Sequence, residues 1–105
     1  MMRTYTKRQL LNKIAHIASL QLRSIKRKGR WTYTEIAAWS GISRARLSGI
    51  VKHELLSEAN LCLLIAGGFL TVDDILKKLK GLTGEELAFI ERFREDEEYA
   101  GKTVR

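Results

Sequence analysis

The chain has 105 residues, 45% of them hydrophobic, and 19 Lys and Arg against 12 Asp and Glu give a formal net charge of +7. This length and apolar content suit one domain with one core. The single cysteine excludes an internal disulfide and cannot form a zinc site alone. Proline is absent and no segment alternates like an exposed strand, so we expect an all-α fold.

No segment reaches the ~18 apolar residues of a membrane span, and the first residues lack the apolar stretch of a signal peptide. We therefore expect a cytoplasmic protein with no membrane partner.

The charge is distributed unevenly along the chain. Residues 1–34 hold nine Lys or Arg and no acid, residues 35–70 hold three of each sign, and residues 71–105 hold seven basic and nine acidic residues. A basic segment of this kind is typical of nucleic-acid binding, with the acidic end facing away. The alternative is that the basic excess only keeps the chain soluble.

The first predicted helix runs from about Lys7 to Lys28, with Thr6 as its cap and Gly29 as its stop. Its apolar residues recur at helical spacing, and a cluster of cations follows at its end: Arg23, Lys26, Arg27, Lys28 and Arg30. Five cations within eight residues exceed what the helix dipole needs at a C-terminus.

Residues 31–52, WTYTEIAAWSGISRARLSGIVK, predict a helix, a tight turn and a second helix. Thr32 and Glu35 form a capping box, Gly41 supplies a left-handed turn residue and Ser43 caps the next helix. One face of that helix is apolar: Leu47, Ile50 and Val51. The other face is basic, small and polar, and carries Arg44, Ala45, Arg46, Ser48, Gly49 and Lys52.

This pattern resembles the helix-turn-helix of the lambda repressor/Cro (XRE-type) family of bacterial and phage regulators. The matching residues are Thr32, Glu35, Ile36, Ala37, Gly41, Ile42, Ser43, Leu47 and Ile50. The resemblance covers roughly Leu22 to Leu79, and it implies a five-helix DNA-binding domain at residues 1–80 with the helix-turn-helix at about 32–52. Residues 1–21 are an extension that could thicken the core, exchange with a partner or lie along DNA. The chain departs from the family at Val51, where many members carry a glutamate.

The resemblance, with the chemistry of the exposed face, assigns two sets of DNA contacts. Arg44 is expected to read a guanine and Ala45 to touch a thymine methyl. The predicted base-reading residues are Arg44, Ala45, Arg46, Ser48 and Gly49. The predicted phosphate contacts are Lys26, Lys28, Arg30, Thr32, Tyr33, Ser43 and Lys52. Three alternatives stay open: Arg46 as a phosphate contact, Tyr33 as an aromatic that only packs on Trp31, and Gly49 as a site of close helix packing.

The remaining helices are predicted from their caps. Ser57 begins a fourth helix, Thr71 a fifth that ends near Lys80, and Thr83 with Glu86 a sixth from Gly84 to about Tyr99. The sixth helix carries an apolar stripe formed by Leu87, Ile90 and Phe93. It could pack on its own domain, but we expect a dimer contact. Residues 100–105 are expected to form a flexible tail.

Together these features predict a dimeric, sequence-specific regulator that binds double-stranded DNA at an inverted-repeat operator. A repressor of phage or mobile-element type, associated with the nucleoid, is expected. No cofactor, metal site or catalytic constellation is predicted, so the chain is not expected to be an enzyme. The alternative is the antitoxin of a toxin–antitoxin pair, in which the acidic C-terminal helix holds a basic toxin and the helix-turn-helix autoregulates.

Overall fold

The computed structural model describes residues 7–103, and within that range its regular secondary structure is all α-helix, with no strand. The all-α fold predicted from the sequence is therefore confirmed. Seven helices follow one another: α1 (Lys7–Arg27), α2 (Tyr33–Ser40), α3 (Arg44–His53), α4 (Glu58–Ala66), α5 (Val72–Lys78), α6 (Gly84–Glu91) and α7 (Arg94–Thr103).

Side-chain caps fix the starts of five helices. The hydroxyls of Thr32, Ser43, Ser57, Thr71 and Thr83 each accept a bond from the backbone N–H three residues later. Each cap satisfies a backbone donor that has no partner inside the helix. The capping boxes predicted at Thr32 and Thr83 are both present.

Residues from α1 to α6 and the turn before α7 supply the hydrophobic core. α1 packs against α3 and α5, α2 against α3 and α4, α4 against α7 and α5 against α6. The most deeply buried side chains come from α1 to α6 and include Ile14, Ile36, Leu47, Leu64, Ile75 and Ile90. The long first helix therefore thickens the core, although its exposed side remains open to other contacts.

The prediction of a single sixth helix over residues 84–99 is wrong. The chain turns at Arg92 and Phe93, and a separate helix, α7, begins at Arg94. The Phe93 N–H donates to the Ile90 carbonyl oxygen at 3.1 Å, a three-residue closure that tightens the turn. Arg94 then bonds both Glu91 and, at 2.9 Å, Asp73 of α5. Tertiary contacts thus redirect a segment whose sequence has no helix breaker.

The predicted dimer stripe also needs correction. Ile90 is 0% exposed and Phe93 is 3% exposed within the single chain, whereas Leu87 is 42% exposed. Two of the three residues are consequently buried in the chain's own core and offer no surface to a second subunit. Only Leu87 keeps an apolar surface that could contact a partner.

Three sequence predictions concern the ends of the chain. The Thr6 cap and the extension before Lys7 lie outside the described residues, as do residues 104 and 105. The predicted flexible tail is helical as far as Thr103. None of the helices in the described range is long and apolar enough to cross a membrane.

Candidate nucleic-acid interface

The segment from Thr32 to His53 forms two short helices joined by a tight turn. The Glu35 N–H donates to Thr32 Oγ1 at 3.1 Å, and the Thr32 N–H donates to Glu35 Oε1 at 2.8 Å. Gly41 adopts a left-handed φ of 84° and its N–H donates to the Ala37 carbonyl oxygen at 3.0 Å. This geometry closes α2 and lets α3 begin three residues later at a different angle.

The two faces of α3 separate as the sequence predicts. Leu47, Ile50 and Val51 are buried against the rest of the chain. Arg44, Ala45, Arg46 and Lys52 are exposed, and Ser48 and Gly49 are half-buried. No acidic side chain lies within α3. The helix therefore presents an exposed basic surface with small residues between its cations.

Tyr33 brings two of the predicted DNA-contacting cations together. Lys26 Nζ lies 4.9 Å from the centre of the Tyr33 ring, and the Arg44 guanidinium carbon lies 5.7 Å from the same centre. A cation over an aromatic face is held electrostatically by the ring quadrupole. The half-buried ring is thus a platform that positions the end of α1 and the start of α3 at one place.

The other predicted phosphate contacts do not all converge on this platform. Lys28 and Arg30 line a separate recess of about 350 Å³ beside Trp31, Gly67 and Gly68. Thr32 and Ser43 use their side-chain oxygens as helix caps, and a hydroxyl that accepts a cap bond can still donate its hydrogen. Lys52 lies in the last turn of α3, next to His53.

The two tryptophans fix the junction behind this surface. The Trp31 and Trp39 ring centres lie 6.1 Å apart, and the Trp31 ring meets Phe69 edge-on at 5.0 Å. The Trp39 indole N–H donates to the Gly67 carbonyl oxygen at 3.2 Å. Trp39 is half exposed but held in place, so it joins α2 to the end of α4.

An anchor that the sequence did not reveal holds the end of α3. The Val51 carbonyl oxygen accepts a bond from Ser19 Oγ at 2.7 Å and from Arg23 Nη2 at 2.9 Å. α3 ends at His53, and the next residue, Glu54, adopts a left-handed φ of 54°. As a result, the Leu55 N–H donates to the Gly49 carbonyl oxygen and not to that of Val51. The Val51 oxygen therefore lacks its helical donor, and α1 supplies two donors in its place.

This anchor separates Arg23 from the other cations of its cluster. Its guanidinium is committed to the α3 carbonyl, whereas Lys26 is held at the Tyr33 ring. At Val51, where the chain departs from the family pattern, the side chain is apolar and buried. The backbone oxygen of Val51 makes the polar contact with α1.

Gly49 has room for a side chain in the folded chain. A Cβ atom placed there would meet only Leu55 Cδ1, at 3.9 Å, which is an ordinary contact. Close helix packing consequently does not explain a glycine at this position.

Cys62 is half-buried beside Asp96. Burial raises the pKa of its thiol above the ordinary value, and the hydrogen bond and charge of the Asp96 carboxylate raise the pKa further. The thiol is therefore protonated at neutral pH and is a poor nucleophile. Among the residues described, no group of three or more His, Cys, Asp or Glu side chains is arranged to hold a metal ion.

Comparison with known proteins gives no match: no family model, no curated protein and no solved structure is similar to this chain.

Proposed function

We propose that this chain is a lambda-repressor-like, sequence-specific regulator that binds double-stranded DNA with α3 in the major groove. It acts as a homodimer on an inverted repeat and represses transcription by occupying a promoter, as expected for a regulator of phage or mobile-element type. It works in contact with the nucleoid and needs no cofactor.

The observation that carries this proposal is the geometry of α3. Its inner face is buried, its end is anchored to α1 through Val51, and its outer face is basic and free of acids. An α-helix fits the major groove, and the arginine fork can form a bidentate pair with a guanine. A recognition helix must be held rigidly from behind while its outer face stays free to read base edges. The buried inner face and the exposed basic outer face of α3 support this role.

The cations around α3 support the same proposal. Lys26 and Arg44 meet at the Tyr33 ring. The α1 side chain that we assign to a DNA phosphate therefore lies next to the first residue that we assign to a base. Lys52 adds positive charge in the last turn of α3, and Lys28 and Arg30 add it in the segment between α1 and α2. Contacts to phosphates position a protein on the duplex without reading its sequence, which is the role we assign to these side chains.

The first experiment is selection of binding sites from random-sequence duplex DNA at roughly 150 mM salt, which suppresses nonspecific phosphate binding. An enriched inverted repeat is expected, and its spacing would give the separation of the two half-sites directly. A single enriched half-site would remove the homodimer from the proposal. No enrichment would contradict sequence-specific binding and would favour a protein partner, as in an antitoxin.

Two variants separate base reading from phosphate binding on the selected duplex. Arg44→Ala is expected to weaken binding by ~1–3 kcal/mol and to relax the preference at one base position. Lys28→Ala is expected to weaken all sequences alike and to flatten the slope of log affinity against log salt by ~0.9. An unchanged footprint and affinity for Arg44→Ala would contradict the assignment of α3 as the recognition helix.

A further inference from the structure

A long groove continues from the outer face of α3 to the first turn of α1. Its volume is about 900 Å³. α3 contributes Ala45, Arg46 and Gly49 to its wall, and α1 contributes Lys7 and Arg8. Three of the residues predicted to read bases therefore share one continuous depression with cations that lie nearly forty positions earlier in the sequence.

The charge of this groove is positive. Arg8 and Arg46 are exposed, and neither has a carboxylate partner among the described residues. The single acid in the groove wall is Glu58, whose carboxylate bonds Lys7 at 2.9 Å and also bonds Arg92. Two cations thus neutralise the one acid, and the arginine charges are left uncompensated.

Leu55 adds an apolar surface to the same groove. It lies in the short connection between α3 and α4, and its exposed fraction of 64% is the largest of any large hydrophobic side chain in the part of the chain that the structure describes. Protein–DNA contacts use apolar side chains against thymine methyl groups, and the carbon face of a deoxyribose offers a similar surface. An exposed leucine in the same groove as two uncompensated arginines therefore suits a sugar–phosphate strand.

We propose that this groove binds the phosphodiester backbone of duplex DNA where the strand leaves α3, with Arg8 as a phosphate contact. The first turn of α1 would then be a second DNA-contacting element, outside the helix-turn-helix and outside the segment that resembles the regulator family. This inference rests on the proposed function and extends its interface by one helix. Charge complementarity and continuity with the basic face of α3 select DNA as the occupant.

The test measures how the affinity for a random-sequence duplex depends on salt, between roughly 50 and 200 mM. Nonspecific duplex is a sufficient probe, because backbone binding requires no operator. Arg8→Ala is expected to flatten the slope of log affinity against log salt by ~0.9, the change for one phosphate contact. Lys77→Ala is the matched control: Lys77 is exposed on α5, outside the groove wall, and its loss removes the same charge. It is expected to leave the slope unchanged.

Comparison with Lys28→Ala on the same duplex distinguishes the two levels of the proposal. A wild-type slope for Arg8→Ala together with a flattened slope for Lys28→Ala would overturn the proposal that the groove binds DNA. It would leave the proposal of DNA binding by the rest of the chain intact. Equal flattening by Arg8→Ala and Lys77→Ala would also overturn it, because the effect would then be one of net charge alone. Absence of duplex binding by the unaltered chain would overturn the proposed function itself. Thermal unfolding of each variant checks that the exposed substitutions leave the fold intact.

Discussion

Gly49 occupies the interior of α3, where a glycine destabilises a helix by roughly 0.5–1 kcal/mol relative to alanine. Its neighbours leave room for a Cβ atom, and Ala45 and Arg46 line the same groove. A small residue on the outer face of a recognition helix permits close approach of the backbone to DNA. The stability cost at this position is thus explained if the backbone is itself part of the binding surface.

Gly49→Ala is expected to raise the free energy of unfolding by roughly 0.5–1 kcal/mol, since alanine restricts the unfolded chain and fits the folded one. The added methyl group would crowd bound DNA, and overpacking costs ~1–3 kcal/mol. Affinity for the selected duplex should therefore fall by roughly 5- to 150-fold, with an unchanged salt slope because no charge is lost. Urea unfolding and a binding titration measure the two effects.

Gly84→Ala is the control for this experiment, because Gly84 begins α6 and a Cβ atom there meets nothing within 4 Å. It should leave DNA affinity unchanged. A Gly49→Ala variant that is more stable and binds as tightly as the unaltered chain would show that the backbone at Gly49 does not approach DNA.

At the scale of the elements, the orientation of α3 depends on the Val51 carbonyl oxygen and its two donors. A buried acceptor that loses every partner costs ~1–3 kcal/mol, whereas loss of one hydrogen bond costs ~0.5–1.5 kcal/mol. Ser19→Ala and Arg23→Ala should each lower the free energy of unfolding by ~0.5–1.5 kcal/mol, the cost of one hydrogen bond. The double variant should lose more than the sum, because only then is the oxygen left unpaired.

Urea unfolding of the two single variants, the double variant and Arg27→Ala tests this anchor. Arg27 is exposed in the last turn of α1 and provides the same loss of charge without the bond to Val51. Strict additivity of Ser19→Ala and Arg23→Ala would mean that the Val51 oxygen does not depend on them.

These elements also mark what the sequence could predict. Caps at Thr32, Ser43 and Thr83 bond partners three residues away, so short-range patterns were sufficient to locate those helix starts. The break at Arg92 and Phe93 was not predictable in this way, because contacts with α5 and burial of Phe93 produce it. The donors to Val51 and the groove reaching Arg8 likewise join residues distant in sequence, and neither leaves a local pattern.

At the scale of the whole molecule, the uneven charge corresponds to a division of surfaces. The basic face of α3 and Lys26 at the end of α1 lie at the candidate DNA interface. Acids of the C-terminal half are partly used within the chain: Asp73 bonds Arg94, and the Glu97 carboxylate accepts the Val72 N–H at 3.2 Å at the start of α5. A carboxylate at a helix N-terminus is favoured by the helix dipole. These acids therefore attach α7 to α5 and are not free for a basic partner.

Phe93 tests whether the C-terminal helices pack within their own chain or against a second subunit. It is buried beside Phe89, whose ring meets it edge-on at 5.6 Å. Phe93→Ala is expected to lower the free energy of unfolding by ~3–5 kcal/mol, as for other large core truncations. Because Phe93 is buried within one chain, this loss should be independent of protein concentration, whereas a subunit contact would make stability depend on it.

The measurement is urea unfolding of Phe93→Ala and of the unaltered chain at two protein concentrations a hundredfold apart. Leu87→Ala is the control, because its exposed side chain should contribute within about 0.5 kcal/mol when it contacts no partner. A Phe93→Ala effect that grows with protein concentration would place the residue between subunits and contradict the intrachain packing. A concentration-dependent effect of Leu87→Ala alone would place the dimer contact at Leu87, the exposed residue of the stripe. Ile90 and Phe93 would then still be buried in the core of their own chain.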